Sequence, residues 1–289
     1  MSEDEKTGEE KERILRVRVF VDGTWLLYAR RRLIENAEEP LDLDWKGLPH
    51  ILAKKMAEDL GISEFKLEGC TIFGSFAKNV DPVDKGKAAA RERFYGILNS
   101  EFGYGYSLYA VDFKGQRLHQ RELEIKEKRV DVALASKAVY QGCINAYDGA
   151  VFVIGDQDYI PALEKIREMN KHVMIASIRG SCHSAYDPYR TWYKEGEIFD
   201  CKTIFLDDIL KEVTQKYSIG IIDDKIDKRG FGFIKSGDEK FYFHRVNTIS
   251  DFSELHVSQP VYFLPKDEVE PGHQYRRAII VKTSLYEPY

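Results

Sequence analysis

The stretch that decides the fold is VFVIGDQDYIPALEKI, Val151 to Ile166. Four apolar residues, three of them β-branched, run up to Gly155 and to two acids one residue apart, Asp156 and Asp158. Ile160, Leu163 and Ile166 then recur at helical spacing. The pattern predicts a buried strand, a turn and a helix. In an open α/β sheet, ligands bind at the carboxyl ends of the strands, which places Asp156 and Asp158 at the rim of the crevice. Carboxylates held that close repel each other unless a proton or a cation sits between them, and a hard cation such as Mg²⁺ suits oxygen donors. The same residues also suit a turn at Asp156 and a helix cap at Asp158. This stretch alone leaves both readings open.

Working outward, the same grammar repeats. ILRVRVFV, residues 14–21, alternates Val17, Val19 and Val21 with Arg16, Arg18 and Phe20 and predicts a first strand. It ends at Asp22-Gly23-Thr24, with Thr24 a candidate helix cap, and the amphipathic run WLLYARRRLIENA follows. Asp22 thus takes the strand-end position that Asp156 takes. Asp131 opens a further predicted helix, VDVALASKAVYQGC, with Lys128 and Arg129 just before it. Helix starts at strand ends of one sheet converge in space, so Asp22, Asp131, Asp156 and Asp158 form a candidate cluster. Other predicted elements are helices at 44–60, 82–99, 185–193 and 207–216, and strands at 66–73, 107–113, 172–177 and 203–206. Lys85, Lys87, Arg91 and Arg93 along the 82–99 helix read as a solvated face. LHQRELEIKEKR, residues 118–129, extends a hairpin or forms a loop. The alternation of strand and helix predicts a three-layer α/β fold around a mostly parallel sheet.

Near Tyr217 the pattern changes. The runs IGII, GFGFI, KFYFHR, PVYFL and RAIIV are separated by turn residues and lack a helical period, which predicts a small all-β barrel. The expected organisation is a disordered leader at 1–13, an α/β domain at 14–216 and a barrel domain at 217–289. Among 289 residues, 43% are hydrophobic and 31% charged, with a net charge of -5, which is a globular composition that does not by itself advertise nucleic-acid binding. No apolar run approaches the roughly 20 residues that span a bilayer, and the acidic start is no signal peptide. A cytoplasmic protein without membrane association is expected. Cys70, Cys143, Cys182 and Cys201 lack paired spacing, which argues against a zinc knuckle or a disulfide framework.

VFVDGT (19–24), KRVDVALASK (128–137) and IGDQDYIPAL (154–163) together resemble the NYN domain of the PIN-like nuclease superfamily. The resemblance covers about residues 14 to 212. It implies a three-layer α/β fold, hydrolysis of RNA phosphodiesters with Mg²⁺ or Mn²⁺, and Asp22, Asp131, Asp156 and Asp158 as the catalytic, metal-binding acids. The chain departs from the family pattern at Trp25, where Asn is usual, at Lys137, where a further acid is common, and at Ile154, where Ser is common. RGFGFI (229–234) followed by FYFH (241–244) resembles a cold-shock domain of the OB-fold group, whose aromatics stack on single-stranded bases. That likeness assigns Phe231, Phe233, Phe243 and His244 to stacking, with Lys228, Arg229 and Lys240 on the nucleic-acid backbone. The aromatic pair of the first cold-shock strand is replaced by Asp224 and Lys225.

The leading reading is a metal-dependent ribonuclease acting on single-stranded RNA, with DNA a second candidate and homo-oligomerisation left open. Asp22 and Asp156 hold the ion and Asp131 and Asp158 complete its shell. Lys128, Arg129 and Arg179 are candidate phosphate contacts, and Trp25 a candidate base-stacking residue. The rival is an RNA-binding adaptor with a remnant acidic pocket in which Lys137 replaces a metal. A phosphatase-like site leaves the aromatic tail unexplained.

Overall fold

A computed structural model describes residues 14–35, 37–77, 82–111, 129–187 and 199–285. The expected leader and Lys128 lie outside the described residues, as do residues 112–128 and the greater part of the helix expected at 185–193. The α/β region runs β1 (Leu15–Asp22), α1 (Gly23–Ala29), α2 (Arg31–Ile34), β2 (Leu41–Leu43), α3 (Leu48–Asp59), β3 (Phe65–Ala77), α4 (Pro82–Phe102), β4 (Gly105–Val111), α5 (Arg129–Cys143), β5 (Gly149–Val153), α6 (Ile160–Glu168), β6 (His172–Ser177), β7 (Lys202–Phe205), α7 (Leu210–Val213) and β8 (Thr214–Lys216). The barrel comprises β9 (Ser218–Ile226), β10 (Phe231–Ser236), β11 (Glu239–His244), β12 (Pro260–Pro265) and β13 (Arg276–Lys282).

Six strands form a parallel sheet in the order β4-β3-β1-β5-β6-β7. Parallel strands buried on both faces read as near-continuous apolar runs, and the period of two decides which residue meets which layer. Val17, Val19, Val21, Val151 and Val153 share a core with the layer containing α1 to α4. Phe20, Phe152 and Ile154 pack instead with Leu134 of α5 and Leu163 of α6. From β1 the chain builds outward to β3 and β4, then returns to add β5, β6 and β7 on the other side. The crevice beyond the carboxyl ends of β1 and β5 is therefore the topological switch point, where such sheets bind ligands.

Several predicted elements change. The 44–60 helix starts only at Leu48, after a turn, with Pro49 in its first turn. The amphipathic run after Thr24 bends at Arg30 into two short helices. Of the 185–193 helix, the described part is a single 3-10 turn, Ser184–Tyr186. The terminal 207–216 helix is reduced to α7, because Thr214–Lys216 instead pairs antiparallel with Leu41–Leu43. Of the basic residues expected on a solvated face of α4, Arg91 and Arg93 are instead held by protein carbonyls. Arg91 is buried and donates to the Ser75 carbonyl, and Arg93 donates to Ile249 O at 2.6 and 2.9 Å, inside the barrel segment. The side chains of Lys85 and Lys87 lie outside the described residues.

The barrel closes in the order β10-β11-β13-β12-β9 and docks directly on the α/β layers. Leu33, Ile34, Trp45 and Phe94 share one apolar core with Ile249, Leu264, Ile279, Ile280 and Leu285. Asp42, fully buried, accepts from Arg30 (2.6 Å) and from Lys282 of β13 (2.7 Å). Burial would lift the Asp42 carboxyl, but Arg30 and Lys282 hold it below the usual range. Glu101 at the end of α4 binds Arg277 at 2.9 Å and Lys266 at 2.8 Å.

Candidate functional site

Asp22 closes β1 and caps α1, its Oδ1 accepting from the Trp25 N–H at 2.9 Å. Being 5% exposed, its carboxyl is pushed up to about 6 by burial, with Asp131 adding repulsion and hydrogen bonds from Trp25 and Tyr159 opposing the rise. Asp131 lies in the first turn of α5. The two acids meet through one side chain, because the Tyr159 hydroxyl contacts Asp22 Oδ2 at 3.0 Å and Asp131 Oδ1 at 2.8 Å. Burial and the two carboxylates raise the Tyr159 phenol far above its ordinary range, so it remains a donor. A phenol carries one proton and donates to one carboxylate at a time.

Asp156 is held by the backbone around it. Its Oδ1 accepts from the Asp158 N–H at 3.0 Å, capping the 3-10 turn Gln157–Tyr159. The cap is thus Asp156 itself and not Asp158. Its carbonyl accepts from Tyr186 Oη at 2.7 Å, and the preceding Gly155 carbonyl accepts from the His183 N–H at 2.6 Å. Trp25 packs over the same turn and donates from Nε1 to Ser181 O at 2.8 Å; a Cβ on Gly155 would meet that nitrogen at 2.0 Å. Glycine is therefore required beneath the indole, and Trp25 ties the Gly155 turn to the 178–183 loop.

Asp22, Asp131 and Asp156 line one open cleft of about 470 Å³, with Trp25, Tyr28, Arg32, Gly180 and Ser181 on its other walls. Oxygen donors of this kind suit Mg²⁺ or Mn²⁺, and a carboxylate buried at Asp22 against neutral donors carries a charge that a cation balances. Among the described residues, no group of three or more His, Cys, Asp or Glu already converges on one point. Asp158 is exposed and outside the lining.

The remaining sequence candidates divide. Arg129 is exposed and donates to Ala110 O at 3.0 Å. Arg179 is paired to Asp208 at 2.6 Å and lies 4.0 Å over the Phe205 ring, away from the cleft lining. Lys137 is exposed on α5 and is not among the residues that line the cleft. Tyr159, Tyr28 and Arg32 are site residues that sequence reasoning missed.

On the barrel, alternation along β10 and β11 separates an inner from an outer face. Phe243 is fully buried with Phe241, contrary to the stacking role expected for it, and a Cβ on its partner Gly232 would strike its ring at 2.7 Å. The outer face carries Phe231, Phe233 and Tyr242, with ring centroids 5.5 to 6.0 Å apart. Tyr275 and His273 extend it, each at 5.5 Å. Lys240 lies 4.9 Å over Phe233 and is paired to Asp223. His244 is half-buried at the end of β11; Lys228 and Arg229 are exposed on the turn before β10.

The family model described as NYN domain matches residues 16–187, more than half of the chain. The matched span includes all four acids and ends before the barrel. Among solved structures, a protein of unknown function from Vibrio parahaemolyticus is similar at 14% identity and a TM-score of 0.40, covering 70% of this chain and 97% of that chain. No curated protein matches. Among the described residues no helix is long and apolar enough to cross a membrane.

Proposed function

The chain belongs to the NYN domain family, and on that premise we propose that it is a divalent-metal-dependent ribonuclease acting on single-stranded RNA. The observation that carries this reading is the pairing of Asp22 with Asp131 through Tyr159 at the switch point, in a cleft that Asp156 also lines. Asp22, Asp131 and Asp156 would hold the ion. Bound Mg²⁺ or Mn²⁺ supplies a water of lowered pKa and offsets charge that builds on the phosphate. Tyr159 orients buried Asp22 and half-buried Asp131, as outer partners of metal ligands do. The Tyr186 and His183 contacts fix the turn that presents Asp156. In-line attack by water leaves a 5′ phosphate and a 3′ hydroxyl. The outer barrel face, with Phe231, Phe233 and Tyr242 beside Lys240, supports a second contact in which bases stack on rings.

The test is incubation of a labelled single-stranded RNA with the protein in Mg²⁺, Mn²⁺ or EDTA, beside the Asp22→Asn/Asp156→Asn double variant. Metal-dependent cutting lost in the variant is expected. Binding without cutting in every lane would make the chain an RNA-binding adaptor instead.

A further inference from the structure

We infer that Tyr28 and Arg32 form the substrate-holding wall of the acidic cleft, Tyr28 stacking on an unpaired base beside the scissile phosphate and Arg32 binding a phosphate. This inference deepens the ribonuclease reading by naming what the cleft recognises. Trp25, Tyr28 or Ala29, and Arg32 follow i, i+3, i+4, i+7 spacing. The bend at Arg30 keeps αR dihedrals (φ -55°, ψ -25°), so the spacing survives as one wall of the cleft. The three positions differ in what already holds them. The Trp25 indole is fixed by Ser181 O and by Gly155. Tyr28 is 52% exposed, an unusual state for a large ring in a cleft, with the Arg91 guanidinium 5.9 Å from its centroid. Its open ring offers a base a π-face.

Charge points the same way. Three carboxylates repel a phosphodiester, and Arg32 is the one cation lining the cleft among the described residues. Nη1 of Arg32 donates to Gly180 O at 2.6 Å, which aims the group along the rim; a guanidinium has five donors in a fork that matches a phosphate. A base stacked in a duplex cannot also stack on a protein ring, so a wall built this way selects single strands.

The experiment uses the full chain carrying Phe231→Ala, Phe233→Ala and Tyr242→Ala, which removes the three clustered rings of the barrel face, with a four-nucleotide RNA containing 2-aminopurine, in EDTA. Quenching of the 2-aminopurine on binding is expected, with roughly tenfold weaker binding and loss of the quench in Tyr28→Ala. Arg32→Gln is expected to weaken binding and flatten its salt dependence, while Tyr140→Ala, an exposed ring on α5 outside the cleft, changes neither. Affinity and quench unchanged by Tyr28→Ala would overturn the inference whether or not the protein cuts RNA. A Tyr28-dependent quench in a protein that never cuts with Mn²⁺ would uphold it and overturn the ribonuclease reading.

Discussion

At Asp22 the helix cap and the solvent make opposite demands. The cap and the positive end of α1 favour a carboxylate, while burial favours the acid and lifts its pKa from 3.8 to about 6. A folded-state pKa raised above the unfolded one gives stability that is full below about pH 4 and lost as pH rises through about 6. In chelator-treated protein, Asp22→Asn, which keeps an acceptor for the cap, should therefore stabilise at pH 7.5 by on the order of 3 kcal/mol. It should give no gain at pH 4, as read by urea denaturation at the two values. Tyr159→Phe keeps the buried ring and removes the hydroxyl between the acids; Mn²⁺ affinity, read by electron paramagnetic resonance, should fall by about tenfold. The acids were legible in the sequence because strand ends announce them. Tyr159 was not, since its spacing to Leu163 and Ile166 reads as core, and only the fold shows its hydroxyl reaching residues 28 and 137 positions away.

Strands β10 and β11 show how far pattern carries an element. The alternation in KFYFHR is plain, but the likeness to cold-shock strands puts Phe243 on the outer face, and the barrel puts it inside. Phase is set by closure of the barrel, where Gly232 opens the space that the Phe243 ring fills. Phe243→Ala should cost about 3–5 kcal/mol of stability, as a large core truncation. Phe231→Ala should leave the melting temperature within a degree or two but weaken single-stranded RNA binding by about 1–3 kcal/mol. Thermal melts and fluorescence anisotropy on the two variants separate these roles. Helix α4 carries the same lesson, because Arg93 reads as solvated charge until the barrel contributes the Ile249 carbonyl, and Arg91 until β3 contributes the Ser75 carbonyl.

Over the whole molecule, the sheet, its layers and the change of pattern near Tyr217 were readable, because each rests on local periodicity. The docking of barrel on sheet was not. It depends on the Asp42–Lys282 pair, 240 residues apart in sequence, and on a core assembled from both ends of the chain. The two regions should unfold in one calorimetric transition, and Asp42→Ala, which leaves Arg30 and Lys282 buried without their shared carboxylate, should destabilise both by about 3–5 kcal/mol. Two transitions in the unmodified protein would show that the barrel is independent. The most direct measurement of the central claim is end analysis of single-stranded RNA cut in Mn²⁺ by the wild-type chain and by Asp156→Asn. The expected products carry 5′-phosphate and 3′-hydroxyl ends and disappear in EDTA and in the variant, while the variant still binds the RNA. Cutting that persists in either, or 2′,3′-cyclic phosphate ends, would contradict it.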